Sequence, residues 1–335
     1  MSRYAADQNQ VVFFYESGTY ANTSGVGQWP GLIQDHTIDE AANVIVTRYV
    51  GGGTRDVSRF DDGPLDFTGT FTFFPQDWKF LGFALGSVVD AGSPSPYTHT
   101  ISAVDSDVGN YATSGLSSPF VSFGIEDAQI TAGATGTNYL RTLKGCMVDS
   151  MSISSTQGEP VSCEVTYRAQ NVTFFSGAAT AVTADTTRPF LWNDCQFHLP
   201  SGTKIDEVTD FDLTISNNLE TPHYLNGSRV IGVPEPLNRD YELTLTLHGT
   251  TTNTGSLYEK YFRSGLTFNA MLAIDVTAGS RDCAMVFSGC KLIDMESPTR
   301  NEGLNEQTLT IRPQTMSVFV QDSIERYIAS GAIAW

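Results

Sequence analysis

Strict alternation of polar and apolar residues occurs twice in this chain, and the two stretches look like copies of one another. "DFTGTFTF" (Asp66 to Phe73) and "DYELTLTL" (Asp240 to Leu247) both begin on Asp and then change character at every step. Such a period places successive side chains on opposite faces of a strand, so each stretch reads as a strand with one greasy face and one wet face. The offset of 174 holds without a gap back to "GTR" (Gly53 to Arg55), which lies over "GSR" (Gly227 to Arg229). A second block repeats at an offset of 144: "GCMVDSM" (Gly145 to Met151) over "GCKLIDM" (Gly289 to Met295), and "EVTYRAQ" (Glu164 to Gln170) over "TLTIRPQ" (Thr308 to Gln314). A period of this size is too long for a solenoid and has the length of a domain. The chain reads as a tandem duplication of one β-domain, its second copy shortened between the two blocks.

A length of 335 residues suits two domains. Apolar spacing lapses in "SGAATAVTADTTRP" (Ser176 to Pro189), which places copy one at 1–185 and copy two at 186–335. Helical spacing is confined to "QDWKFLGFAL" (Gln76 to Leu85), "SLYEKYFR" (Ser256 to Arg263) and "DSIERYIA" (Asp322 to Ala329). The first two each follow an alternating strand and stop before a glycine, Gly86 or Gly265. The rest reads as short strands broken by Gly, Pro, Asn and Ser, so the expected class is mainly β, with two tandem β-sandwich domains and a short helix flanking each. Val88 to Gly115, rich in small and polar residues, has no counterpart in copy two and is expected to be a surface excursion.

The strand faces carry the functional expectation. Asp66, Thr68, Thr70 and Thr72 share one face of the first strand; Asp240, Glu242, Thr244 and Thr246 share one face of its copy. The preceding strand of copy two adds Asp212, Thr214 and Ser216, opposite Phe211, Leu213 and Ile215. A solvated sheet face explains such a row on its own. Its retention in both copies, while the surroundings diverge, points to a lining that the protein uses. Between the paired strands lie two loops far longer than a hairpin needs, Val50 to Leu65 and Asn217 to Arg239. They carry Arg55, Val57, Arg59 and Phe60 in one and Arg229, Val230, Ile231 and Val233 in the other, residues suited to touching a neighbour.

Charge and composition exclude several functions. There are 19 basic and 37 acidic side chains, a net charge of −18, and only five lysines. A protein that grips nucleic acid clusters Lys and Arg to displace counterions from phosphate, and this chain does the reverse. Its balance suits a surface that repels a polyanion, and also a salt-rich environment. No run approaches the ~18 apolar residues of a membrane span, and the N-terminus lacks the apolar core of a signal peptide. Five cysteines form no disulfide framework; Cys146 and Cys290 occupy equivalent places, and a Cys283–Cys290 pairing stays open. No phosphate loop or nucleophile elbow is present. Cys195 and His198 have a zinc-like spacing without a second pair, and the five histidines (36, 99, 198, 223, 248) do not cluster. "DSDVGN" (Asp105 to Asn110) begins like a calcium loop but misplaces its Gly and lacks the distal Glu, and the pairs Asp39–Glu40 and Asp61–Asp62 have no sugar-binding platform beside them. No catalytic group, metal or cofactor is expected.

In layout the chain resembles the tail tube proteins of long-tailed, siphovirus-like viruses, in a duplicated two-domain form. "GTRDVSRFDDGPLDFTGTFTFFPQDW" (Gly53 to Trp78), followed by "KFLGFALGS", carries the likeness, and copy two is a more diverged version. The resemblance implies four strands per domain in a β-barrel around a channel, with the long loops reaching the next ring. It implies that three two-domain chains make a pseudo-sixfold ring, and that an acidic, hydroxyl-lined lumen conducts DNA without binding it. The partners implied are further copies of the chain, a tape-measure protein, tail terminator or adaptor and distal tail proteins, without a membrane. The location implied is the virion tail, assembled in the host cytoplasm. Two other classes fit a doubled β-domain: a receptor- or carbohydrate-binding β-sandwich module, and an enzyme of the β-sandwich hydrolase type. A secretion-system tube subunit is a close relative of the first reading, although such subunits are normally single domains.

Overall fold

The computed structural model describes residues 9–16, 20–21, 27–48, 56–92, 95–104, 122–130, 138–199, 203–248, 257–276, 281–296 and 305–327. The protein is mainly β, and its organising element is one antiparallel sheet of eight strands. Across that sheet the order is β2 (Leu32–Ala41), β5 (Asp66–Phe74), β10 (Ser162–Ala169), β9 (Asn138–Thr156), β14 (Val208–Ser216), β17 (Asp240–His248), β20 (Glu306–Arg312) and β19 (Asp282–Glu296). The first four strands come from the first half of the chain and the last four from the second. The join is β9 with β14, where Ser216 lies opposite Ser150 and Asp210 opposite Thr156.

The halves match residue by residue. Cys163 faces Phe73 and Ala169 faces Phe67, while Gln307 faces Leu247 and Ile311 faces Leu243, the same register at the two sequence offsets. Bulges recur as well: Gln34 in β2 and Thr209 in β14, Asp149 in β9 and Ile293 in β19.

The glycine–cysteine repeat forms a corner. In both β9 and β19 one long strand serves two sheets. Its first half pairs with the outer strands β8 (Ser122–Gln129) and β11 (Asn171–Gly177), or β18 (Phe268–Asp275) and β21 (Thr315–Asp322); its second half pairs in the main sheet. The turn between the two roles is Gly145 or Gly289, each at φ 63°, a left-handed conformation that side-chain-bearing residues rarely adopt. The glycine N–H, lost to the ladder, finds a side-chain acceptor each time: Glu16 Oε1 at 2.5 Å and Asn269 Oδ1 at 3.2 Å. The repeated glutamine closes the corner, Gln170 N donating to Lys144 O and Gln314 N to Ser288 O, both at 3.0 Å.

Between the main and outer sheets lies the core. In the first half it is aromatic, with Phe13 of β1 (Gln10–Tyr15), Phe71, Phe80 and Phe123 in tilted and edge-on contacts of 4.9 to 5.7 Å. In the second half the same positions are mostly aliphatic. Gly69 opposite Tyr167 becomes Leu243 opposite Ile311. A Cβ at Gly69 would run into the Tyr167 hydroxyl, so the Gly–Tyr and Leu–Ile pairs fill one slot in two ways.

Several expectations change. The helix expected over Gln76–Leu85 is only α1 (Leu81–Leu85), ending at Gly86 with φ 102°. The preceding residues spend their polar groups elsewhere: Gln76 Nε2 donates to Asp185 O at 3.0 Å, and Asp77 Oδ1 accepts from Lys79 N at 3.0 Å. The second helix is a π-helical turn, Tyr258–Arg263; Ser256 lies outside the described residues. The third, over Asp322–Ala329, is not helical as far as Tyr327, and its last two residues lie outside the described ones. The expected surface excursion is also partly structural. β6 (Gly86–Ala91) and β7 (Tyr97–Ala103) pair as the antiparallel arms of a hairpin, and β7 pairs with β21, so first-half chain completes the second half's outer sheet beside β18, β12 (Cys195–Leu199) and β13 (Thr203–Ile205). Residues 105–115 lie outside the described ones.

A buried charge cluster fastens that hairpin. His99 Nδ1 sits 2.7 Å from Asp90 Oδ1 and its Nε2 3.2 Å from Asp322 Oδ1, with the Tyr327 ring stacked on the imidazole at 3.8 Å. Tyr327 Oη donates to Asp322 Oδ2 at 2.6 Å. Burial works against charge on His99, but the hydrogen bonds it donates to Asp322 and Asp90 prevail and push its pKa up to about 9.

The corner and the cluster can each be tested by substitution. Gly145→Ala or Gly289→Ala costs on the order of 1–3 kcal/mol, read as a lowered denaturant midpoint, whereas alanine at Gly177, whose backbone is not left-handed and where an added Cβ meets only ordinary contacts at 3.7 Å, costs less. For His99 the folded pKa lies above the ordinary 6.5, so the stability it confers is full below about pH 6.5 and is lost as pH rises through about 9. The difference in urea midpoint between wild type and His99→Gln therefore shrinks from pH 6 to pH 10; a constant difference would show a neutral histidine.

Candidate functional site

Every residue expected on the wet face lies on one side of the eight-stranded sheet. One cross-strand row runs Asp35, Thr72, Glu164, Ser152, Thr214 and Glu242, each opposite the next. The neighbouring row runs Thr37, Thr70, Thr166, Ser150, Ser216 and Asp240. Asp212 faces Ser154 and Thr244, Thr246 faces Asp210 and Thr308, and Thr68 faces Asp39. Directly opposite residues of an antiparallel pair point the same way, so these side chains form one surface. Sequence reading missed β2, β9, β10 and β20 as contributors. In β2 and β9 the bulges at Gln34 and Asp149 shift the alternation by one residue, which hides the wet row. The serine alternation Ser150, Ser152, Ser154 was nevertheless a usable signal.

The face is not purely acidic. Arg168 and Arg312 occupy matching places near one end; Arg168 Nε lies 3.5 Å from Asp149 and Arg312 Nη2 3.3 Å from Glu242. Both arginines are thus engaged by neighbouring carboxylates, while Glu164 and Asp212 stand exposed.

The aspartates that open the two alternating strands have a second task. Asn43 and Asn218, at φ 41° and 50°, turn the chain out of β2 and β14 into the long loops. Asn43 Nδ2 donates to Asp66 Oδ2 at 2.6 Å and Asn218 Nδ2 to Asp240 Oδ2 at 3.2 Å. Each aspartate therefore clasps the start and end of its own loop through a side chain to side chain hydrogen bond.

The loops are differently built. In the first, β3 (Ile45–Thr47) and β4 (Arg59–Asp61) make a small hairpin with Val46 opposite Phe60 and an Arg59–Asp61 ion pair at 2.5 Å. Val44, Ile45, Val46 and Phe60 are all more than half exposed, with Val46 and Phe60 on one face of the hairpin and Ile45 on the other, and of these only Phe60 was anticipated. Val57 is half-buried, and Arg55 lies outside the described residues. In the second, β15 (Leu219–Glu220) and β16 (Glu235–Pro236) form a short neck, and Tyr224 and Leu225 are the exposed apolar residues at the tip. Ile231, expected at that tip, is buried, with Val230 and Val233 half-buried. Arg229 ties the loops together: its Nε donates to Gly63 O at 2.8 Å, its carbonyl accepts from Leu65 N at 2.8 Å, and its Nη1 lies 3.2 Å from Asp62.

Two edges of the main sheet are open. Among the described residues β2 pairs only with β5, and the second half of β19 pairs only with β20. Exposed edges invite further pairing.

Among the described residues, no group of three or more His, Cys, Asp or Glu is placed to hold a metal. Cys195 and His198 are three residues apart on a strand and so point to opposite faces; burial pushes the Cys195 thiol up to about 12. Cys283 and Cys290 are free, and seven residues of extended chain separate them by more than a disulfide can span. His36 is packed against Tyr167, 2.8 Å from its hydroxyl, and burial lowers its pKa to about 4. Asp105 to Asn110 lies outside the described residues. No helix among the described residues is long and apolar enough to cross a membrane.

A broad sheet with a wet face, two unpaired edges and apolar loop surfaces defines a subunit of a larger β assembly. The chain belongs to the phage tail tube protein family, whose sequence profile matches residues 8–317. It is a component of the virion tail and assembles into a tube with other phage tail proteins. No curated protein matches the sequence.

Proposed function

We propose that the chain is a duplicated tail tube domain, with copies at 1–185 and 186–335, in which three chains close into a pseudo-sixfold ring and rings stack into the tail tube of a siphovirus-like particle. The observation that carries this is the β9–β14 join. One chain already lays two four-stranded units side by side in a single sheet, with bulges and corner glycines at matching places. Joining the free edges of three such sheets gives three times eight strands. Barrels of about 16–18 strands already leave an aqueous channel.

The wet face then turns inward. Its hydroxyls and its carboxylates, among them Asp66, Glu164, Asp212, Asp240 and Glu242, border the passing DNA, and the two arginines per chain are held by neighbouring acids. At a Debye length of about 8 Å the repulsion acts at close range and prevents sticking without opposing transit along the axis. The apolar surfaces of the loops over 44–60 and 217–239 lock one ring to the next. A tape-measure protein fills the channel during assembly, and terminator, adaptor and distal tail proteins cap the ends.

Negative-stain microscopy of the purified chain tests the reading: hollow filaments or stacked rings are expected, and discrete globules under all salt conditions would end it. Removing the tip of the second loop, Tyr224 to Gly227, should allow rings but not long tubes in the same images. For the face, Glu164→Lys, Asp212→Lys and Glu242→Lys together should leave folding intact and slow DNA ejection. Asp66 and Asp240 are poorer choices because lysine there would release Asn43 and Asn218. Unchanged ejection kinetics would move the channel to another surface.

A further inference from the structure

If rings form as proposed above, on which this inference rests, one chain's open edge must meet the next chain's, and the molecule contains its own template for that meeting. β14 is the counterpart of β2. Asp210 lies opposite Thr246 as Asp35 lies opposite Thr72, and Ser216 opposite Asp240 as Ala41 opposite Asp66, each after a one-residue bulge. β19 is likewise the counterpart of β9. Within the chain the two counterparts are joined with Ser216 opposite Ser150, Ile215 opposite Met151 and Thr214 opposite Ser152.

We infer that β2 of a second copy docks on the open edge of β19 in this same register, with Ala41 opposite Asp294, Glu40 opposite Met295 and Asp39 opposite Glu296. The two kinds of seam in the ring then differ chemically. The internal seam sets hydroxyl against hydroxyl at Ser216–Ser150 and Thr214–Ser152 and carboxylate against hydroxyl at Asp212–Ser154 and Asp210–Thr156, and so never carboxylate against carboxylate. The seam between chains sets carboxylate against carboxylate, Asp39 facing Glu296, with Asp294 on the same face. The flanking strands bring no cation to them: Asp39 faces Thr68 on β5, while Glu296 and Asp294 face Thr308 and Thr310 on β20. The basic residues of that edge, Lys291 and Arg312, lie opposite each other on the other side of the Ile293 bulge.

Like charges directly opposite in an antiparallel pair are destabilising, and salt screens them. The chain-to-chain seam is therefore the weak, salt-dependent join, and the covalently linked one is unconditional. Subunits stay apart at low ionic strength and close into rings as it rises. The pair Asp39–Glu40, which serves no hydrolytic purpose, acquires a role in this register.

Charge exchange in the full-length chain separates this from a general effect of the net charge of −18. Ring formation would be followed by light scattering and microscopy across a salt titration. Asp39→Lys alone and Glu296→Lys alone should each lower the salt needed several-fold, because each sets lysine against carboxylate. The double variant sets lysine against lysine and should return toward the wild-type requirement. If the double variant instead assembles more readily than either single one, or if Asp206→Lys on the outer sheet has the same effect as the single edge variants, net charge governs and the register is wrong. As an independent measure, oxidation of Ala41→Cys/Asp294→Cys should yield covalent chain-to-chain links, and Ala41→Cys/Glu296→Cys should not; the reverse result overturns the register. Either failure leaves the tube intact if wild-type tubes form. Absence of rings for the wild type at every salt concentration would overturn the inference together with the function proposed above.

Discussion

The backbone ladder between β9 and β14 is the interaction on which the rest of the molecule depends. Without it the two halves would be joined through the β6–β7 hairpin on β21 and the contacts around it, and each half would expose a further strand edge in the main sheet. With it, one edge from each half is consumed, the apolar undersides of eight strands become one surface, and a continuous core covers both halves. The ladder is possible because β9 leaves its outer sheet at Gly145 and still has a second half free to pair. The second long strand makes the same turn at Gly289, and among the described residues its second half pairs on one side only, with β20. One left-handed glycine per half thus releases the second half of each long strand into the main sheet.

Polar groups divide into those that fasten one element to another and those that stay on the surface. Asp66 and Asp240 hold the loop exits through Asn43 and Asn218, and Asp149 holds Leu219 N at 2.8 Å beside Arg168. The buried trio of His99, Asp90 and Asp322 holds a first-half hairpin to a second-half strand. Glu164, Asp212 and the edge acids Asp39, Asp294 and Glu296 stay exposed. A surface of this sign and wetness has the physical character expected of a conduit for a polyanion, and a protein that grips DNA would carry the opposite charge.

Much of this architecture is legible in the amino-acid order. The alternation in "DFTGTFTF" and "DYELTLTL" assigns the wet and buried faces of β5 and β17 correctly, because side-chain direction in a strand depends only on residue parity. The ungapped offsets correctly pair residues that occupy equivalent sites, including Gly145 with Gly289 and Cys146 with Cys290. Parity fails where a bulge intervenes, and that is why β2 and β9, broken at Gln34 and Asp149, do not read as part of the wet face. The helices are over-read for a related reason. Amphipathic spacing at Gln76 and Asp322 is real, but those side chains bind backbone and imidazole groups far away in sequence, which no local pattern reports.

By itself the sequence determined the repeat, the mainly β class, the inside and outside of the alternating strands and the sign of the surface, all of which follow from local spacing and composition. Tertiary structure alone decided which strands are neighbours. It placed the β6–β7 hairpin on the other half of the chain, buried Ile231 while exposing Val44 to Val46, and left one edge of β2 and one edge of the second half of β19 unpaired among the described residues. Those outcomes depend on edges and surfaces meeting across more than a hundred residues of chain, where the energy lies in mutual fit and each segment read alone carries no record of its partner.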